Sequence, residues 1–173
     1  LSSEIADGRY RQLPLRPSFI RKDATRFRCI NVPAIRDRFI QRVMLDHIRG
    51  RYADYLSEHA AFGVLRGQGA PLAVRNALRL ASTHRWVARF DIASFFDRVP
   101  RDFAAKLICK TFRAPSVNDI LIAPINAEPR LASPEHKQRF RECGLKAGIG
   151  LRQGQPLSPL YACVYLRPLD AYA

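Results

Sequence analysis

The stretch Arg89-Phe90-Asp91-Ile92-Ala93-Ser94-Phe95-Phe96-Asp97, RFDIASFFD, brings a strand-like apolar run to an acid and follows it with two adjacent aromatics. Residues 86–92 alternate, with Trp86, Ala88, Phe90 and Ile92 on one side and Val87, Arg89 and Asp91 on the other. The pattern predicts a strand that carries Asp91 on the face opposite its bulky residues. An acid at a strand end suits a divalent cation approached by a sugar-phosphate backbone, because Mg²⁺ prefers one or two carboxylates plus phosphate oxygens to a full protein cage. A bulky aromatic a few residues on then forms a floor for a sugar ring. The same residues also read as a capping box, Ser94 to Asp97, with Phe95 and Phe96 in the core. Both readings stand on this stretch alone.

Downstream, Pro100 suits a first helical position, and Phe103, Leu107 and Ile108 give the next helix a buried face. Residues 113–150 are the least regular part, punctuated by Pro115, Pro124, Pro129 and Pro134, with Ile120-Leu121-Ile122 as the clear apolar group. They read as an insertion or a surface excursion. From Pro156, the spacing of Leu157, Leu160, Tyr161, Val164 and Tyr165 predicts a helix that ends before Pro168. The Gly-rich run Gly148 to Gln155 opens it, offering free backbone N–H groups and a glutamine amide to a nucleotide, or simply an ordinary helix start.

Upstream, Phe19-Ile20 and Arg26 to Ile30 alternate weakly around Lys22-Asp23-Ala24-Thr25, which predicts a basic hairpin. Its Lys22, Arg26 and Arg28 are candidates for a triphosphate or a template backbone, or are merely solvated. After Pro33, Ile35, Phe39, Ile40, Val43, Met44 and Ile48 form one apolar helical face ending near Gly50, with Arg36, Arg38, Arg42 and Asp46 opposite. Gly63, Gly67 and Gly69 interrupt the chain around Arg66, and Leu72, Ala73, Ala77, Leu78 and Ala81 resume helical spacing.

The composition narrows the partners. With 29 Lys+Arg against 15 Asp+Glu, a net charge of +14 and 47% hydrophobic residues, the chain is a globular fold suited to a polyanion. Nucleic acid is favoured over an anionic membrane, because no apolar run approaches the roughly 20 residues that span a bilayer. Cys29, Cys109, Cys143 and Cys163 lie far apart without a C-x-x-C or a nearby His pair, so they read as small hydrophobes in a reducing, cytoplasmic setting. Leu1 opens the chain without a basic-then-apolar leader, so the start reads as an excerpt or a processed start, and the residues after Pro168 run on without a polar tail, so a cut is expected at that end.

Taken in order, these segments resemble the reverse transcriptases of bacteria, the group that includes intron-encoded, retron and defence-associated enzymes. Arg26 to Gln41 resembles the fingers block, a basic hairpin followed by I-P-x-x-R-D-R-x-x-Q, with Val32 in place of the isoleucine. Ala61 to Gly69 resembles G-F-R-x-G-R-S, with Val64 for the aromatic and Gln68 for the second arginine. Arg89 to Pro100 is similar to the first palm motif, and Gly150 to Leu160 to P-Q-G-x-x-x-S-P, with Arg152 where proline is usual. The resemblance implies an α+β fold: helical fingers with a basic β-hairpin over residues 1–85, and a partial polymerase palm, a ferredoxin/RRM-like half, over 86–173 with the excursion at 113–150.

It further implies that Asp91 binds Mg²⁺ with the Ile92 carbonyl as a second ligand, and that Phe96 is the gate that rejects a 2′-OH. Gln153 and Gly154 would border nucleotide and template, and Lys22, Arg26 and Arg28 would face the triphosphate. Asp97 is explained equally by a cap. The implied partners are an RNA template, a primer and a dNTP, with no membrane. The family's aromatic-x-Asp-Asp hairpin is absent from this sequence, which has no Asp-Asp pair. Two-metal transfer needs more than one carboxylate to hold ions about 3.5–4 Å apart. The expectation is therefore an RNA-directed DNA polymerase portion that is inactive by itself. A non-catalytic RNA-binding module and an oligomerisation fragment remain alternatives.

Overall fold

Alternation and basic turn residues near the N-terminus resolve into a hairpin. In the computed structural model, which describes residues 1–24, 26–57, 63–65 and 67–170, a short helix α1 (Ser2–Ala6) precedes strands β1 (Arg16–Arg21) and β2 (Phe27–Val32). They pair antiparallel, Arg16 opposite Val32 and Arg21 opposite Phe27. Ahead of β1, the backbone of Leu15 donates to the carbonyl of Glu128 and accepts from the N–H of Arg130. That exchange ties the hairpin's base to a loop far along the chain.

The long helix α2 (Ile35–Arg51) runs where the sequence predicts it, and Ile40, Met44 and Ile48 of the predicted apolar face are buried, but the rest of that face is not. Its inward residues are Asp37, Ile40, Gln41, Met44, Leu45 and Ile48, whereas Ile35, Phe39 and Val43 face outward at 85%, 64% and 50% exposure. The reason is polar pairing at a distance. Asp37 accepts from the Tyr10 hydroxyl at 3.0 Å and the Leu13 N–H at 3.0 Å, and Gln41 donates to the Gln155 amide oxygen at 3.0 Å. Through these hydrogen bonds, Asp37 and the Gln41 amide nitrogen hold inward positions that hydropathy alone assigns to apolar residues.

After α3 (Ala53–Ser57) comes the amphipathic α4 (Ala70–Ala81), none of whose residues is buried. Ala61, Phe62 and Arg66 of the predicted glycine-rich block lie outside the described residues, as does Thr25 in the hairpin turn. Residues 86–92 do not form the predicted strand. They have no regular secondary structure and are exposed, Trp86 at 83% and Phe90 at 89%, and the only sheet among the described residues is β1–β2. Alternation confers fit to a pleated surface, but a strand is stabilised by the neighbour it pairs with, and none is present here.

The remaining helices build the core. Short α5 (Phe95–Arg98) leads to α6 (Arg101–Phe112), α7 (Asn118–Asn126), α8 (Pro134–Glu142) and α9 (Ser158–Asp170). Pro100 caps α6, which buries Ala104, Ile108 and Phe112, whereas Phe103 is turned outward onto the Tyr165 ring. Residues 113–150, irregular by sequence, contribute Ile120, Leu121 and Ile125 to the main core and Phe140 and Leu145 to a second cluster beneath Cys29. Ile40, Met44 and Ile48 of α2 meet these and Leu157, Leu160, Tyr161 and Val164 at the start of α9. The buried Tyr161 hydroxyl donates to the Leu121 carbonyl at 2.8 Å, and burial raises its pKa well above the ordinary value. Helix α9 continues through Pro168 to Asp170 rather than stopping before it. No helix among the described residues is long and apolar enough to cross a membrane.

Candidate functional site

The loop from Gly148 to Gln155 is held on two sides. On one, Gly150 donates to the Val99 carbonyl at 2.9 Å and Leu151 to the Phe96 carbonyl at 2.6 Å, joining the loop to the turn that follows Asp91. On the other, the Gln153 carbonyl accepts from the Asn31 N–H at 2.7 Å, joining it to β2. Gly150 has φ +84°, and an added Cβ would lie 2.7 Å from the Asp97 carbonyl oxygen and 2.8 Å from that of Phe96. Backbone atoms cannot swing aside as a side-chain tip would. Gly150→Ala is expected to cost about 2 kcal/mol or more, from the left-handed backbone and the clash together, lowering the unfolding temperature by about 4–8 °C in a thermal melt. An unchanged melt would contradict the seam.

That seam shapes a cleft of about 340 Å³. Lys22, Arg26 and Arg28 of the hairpin line it, facing Asp91, Ser94, Asp97 and Gln153. Cys29, Cys143, Glu142 and Leu145 complete the wall. A second hollow adjoins it, lined by Phe90, Ile92, Phe95, Phe96, Leu166 and Leu169. Asp91, Ser94 and Gln153 border both. Residues separated by more than a hundred positions are thus gathered into a charged compartment with an apolar one beside it. Of the sequence candidates, Lys22, Arg26, Arg28, Asp91 and Gln153 share the first; Phe96 and Ile92 belong to the second. Gly154, at φ +105°, backs the arrangement against Ile30 and Asn31.

Ser94 and Asp97 do not form the predicted capping box. Ser94 has the left-handed φ of +53° and makes no side-chain cap hydrogen bond, and α5 lasts a single turn. Asp97 instead turns into the cleft, where burial raises its pKa while the Gln153 side chain, Arg152 and Arg28 pull it back down. The sequence leaves Asp97 open between a site role and a cap; its signal is an acid directly after the aromatic pair. Cys29 is buried and hydrogen-bonds the Asn31 side chain, and burial pushes its thiol up to about 11. Among the described residues the cysteines are free.

Beneath the loop lies a three-residue ion cluster that no local spacing reveals. Glu128 accepts from the guanidinium of Arg152 through both oxygens, at 3.1 Å on Oε1 and 2.8 Å on Oε2, from Arg101 at 2.8 Å and from the Gly148 N–H at 2.8 Å. Arg101 and Arg152 are only 6% and 1% exposed. Arg101 also donates to the Gly150 carbonyl at 2.8 Å, and Arg152 to that of Lys146. Burial lowers the Arg101 pKa while Glu128 supports its charge. The Arg152 guanidinium lies 5.1 Å from the Phe140 ring centroid, a cation–π contact on its remaining side.

Among the described residues there is no group of three or more His, Cys, Asp and Glu arranged to hold a metal. Asp91 and Asp97 nevertheless line one cleft, and two carboxylates with phosphate oxygens are a donor set that Mg²⁺ accepts.

The family described as Reverse transcriptase (RNA-dependent DNA polymerase) matches residues 20–172. The chain is also similar to Protein YkfC of Escherichia coli (strain K12), 28% identical over 178 aligned positions that cover 99% of this chain and 44% of that protein. The chain therefore spans less than half the length of this relative.

Proposed function

Because this chain belongs to the reverse transcriptase family, we propose that it is the fingers (1–85) and partial palm (86–173) portion of an RNA-directed DNA polymerase. The observation that carries the reading is the meeting of Lys22, Arg26 and Arg28 with Asp91 and Gln153 in one cleft, beside an apolar hollow holding Phe96. Cations there suit a triphosphate. The Phe96 ring suits a sugar that lacks a 2′-hydroxyl, since an added oxygen would meet an unpartnered apolar face. The Gln153 amide and the Gly154 backbone border the base and the template strand.

Asp91, with the Ile92 carbonyl, would hold Mg²⁺ together with phosphate oxygens, and the ion would supply charge neutralisation at the α-phosphate. Lys22 and Arg28 balance the rest of the triphosphate and orient it. The primer 3′-oxygen attacks the α-phosphorus as its proton passes to water, and the bond from that phosphorus to the bridging oxygen breaks, releasing pyrophosphate. The partners are an RNA template, a primer and a dNTP.

Sugar selectivity in the full-length protein tests the gate. Phe96→Ala is expected to narrow the preference for dNTP over rNTP by about 10- to 100-fold in kcat/KM, the scale at which a pocket discriminates small groups. Unchanged selectivity would remove Phe96 from the site.

The second reading, a non-catalytic RNA-binding module, rests on the net charge of +14, which serves RNA binding as well as it serves a polymerase. Under it, no form of the protein extends a primer.

A further inference from the structure

We infer that the outward face of α2 is a docking surface for single-stranded RNA, separate from the cleft; the inference rests on the reading of the chain as an RNA-binding polymerase portion. Ile35, Phe39 and Val43 recur every fourth residue and are exposed, so they form one row along the helix. Arg38 and Arg42 are exposed beside that row, about 6 Å apart along the axis.

Neither arginine makes an ion pair or a side-chain hydrogen bond among the described residues. Their neighbours on the same helix behave differently. Arg36 is paired with Glu4 and Asp37, and Arg49 with Asp46 and the Val64 carbonyl. The acids of α2 are likewise taken up elsewhere, Asp37 fully buried and Asp46 beside Arg49. The exposed strip therefore combines uncompensated positive charge with an aromatic ring and aliphatic shoulders.

Charge complementarity selects a polyanion as the occupant. Phe39 selects, among polyanions, one that offers flat apolar faces, and unpaired bases stack on aromatic rings while arginines track the phosphates. An apolar protein partner would gain nothing from Arg38 and Arg42. The residues lining the cleft come from the hairpin, residues 91–97, residues 142–145 and the loop at Gln153, so none of this strip belongs to it.

The test measures binding of a labelled single-stranded oligouridylate to this chain by anisotropy over a range of salt. Phe39→Ala should weaken binding about ten-fold, and Phe39→Tyr should restore it, because stacking needs a ring. The double variant Arg38→Gln/Arg42→Gln should weaken binding and reduce the slope of log K against log salt by about 1.4, two phosphates at about 0.7 each. These side chains are exposed, so unfolding temperatures should stay at the wild-type value. Binding by the wild type that is unchanged in all α2 variants, yet falls in Lys22→Ala/Arg28→Ala, overturns the α2 surface and leaves the cleft reading intact. Failure of the wild type to bind RNA overturns both. Loss of self-association or of binding to anionic vesicles in the α2 variants, with RNA affinity intact, also overturns the inference.

Discussion

Glu128→Ala is expected to destabilise the chain by about 3 kcal/mol and lower its unfolding temperature by about 10 °C. Glu128 is the only acid paired with Arg101 and Arg152 among the described residues, and both guanidiniums are almost fully buried. Removing it leaves two charges in a poorly solvated interior, a loss worth about 3–5 kcal/mol, taken at the low end because Glu128 itself is partly reached by water. At about 2–4 °C per kcal/mol for a chain of this size, the melt should move by close to ten degrees. Glu128→Gln keeps some hydrogen bonds and should fall between. The loss is also local, because the carboxylate holds the Gly148 N–H and Arg101 holds the Gly150 carbonyl. Amide hydrogen exchange should therefore rise first at residues 148–154. A wild-type melt for Glu128→Ala would mean that the cluster is not a stabilising one.

This cluster also marks where sequence reading ends. Arg152 was visible as a departure from the usual proline, but its partner lies 24 residues away, in the stretch that read as an excursion. No local period links the two. The hairpin was legible because its register is short-range and alternation encodes it directly. So was the existence of α2 and α9, which follows from periodicity; a shared site for Asp91 and the glycine-rich loop is implied only by the family resemblance.

The buried face of α2 was legible in part: Ile40, Met44 and Ile48 turn inward as their spacing predicts, whereas Ile35, Phe39 and Val43 do not. Asp37 and Gln41 take inward positions through Tyr10, Leu13 and Gln155, and hydropathy counts them as outward residues. The strand at residues 86–92 failed for a related reason. Alternation describes a strand's two faces, while pairing depends on what lies beside it. The cap at Ser94 failed because the residue adopts a left-handed conformation that its type does not predict.

In the full-length protein, Asp91→Ala is expected to reduce primer extension by about a thousandfold or more, because placing a cation at the reacting phosphate is worth several kcal/mol and each 1.36 kcal/mol is about tenfold in rate. Asp91 is exposed and anchors no packing, so folding and RNA affinity should stay near the wild-type level. The 173-residue chain alone should give no extension, since this sequence lacks the Asp-Asp pair that would complete the carboxylate set.

The most direct measurement is primer extension on an RNA template with dNTPs and Mg²⁺, run side by side with the full-length protein, its Asp91→Ala variant and the 173-residue chain. The account predicts DNA synthesis from the first and none above background from the other two. Synthesis by the Asp91→Ala variant at the wild-type rate, or by the short chain in a manner abolished by Asp91→Ala, would contradict it.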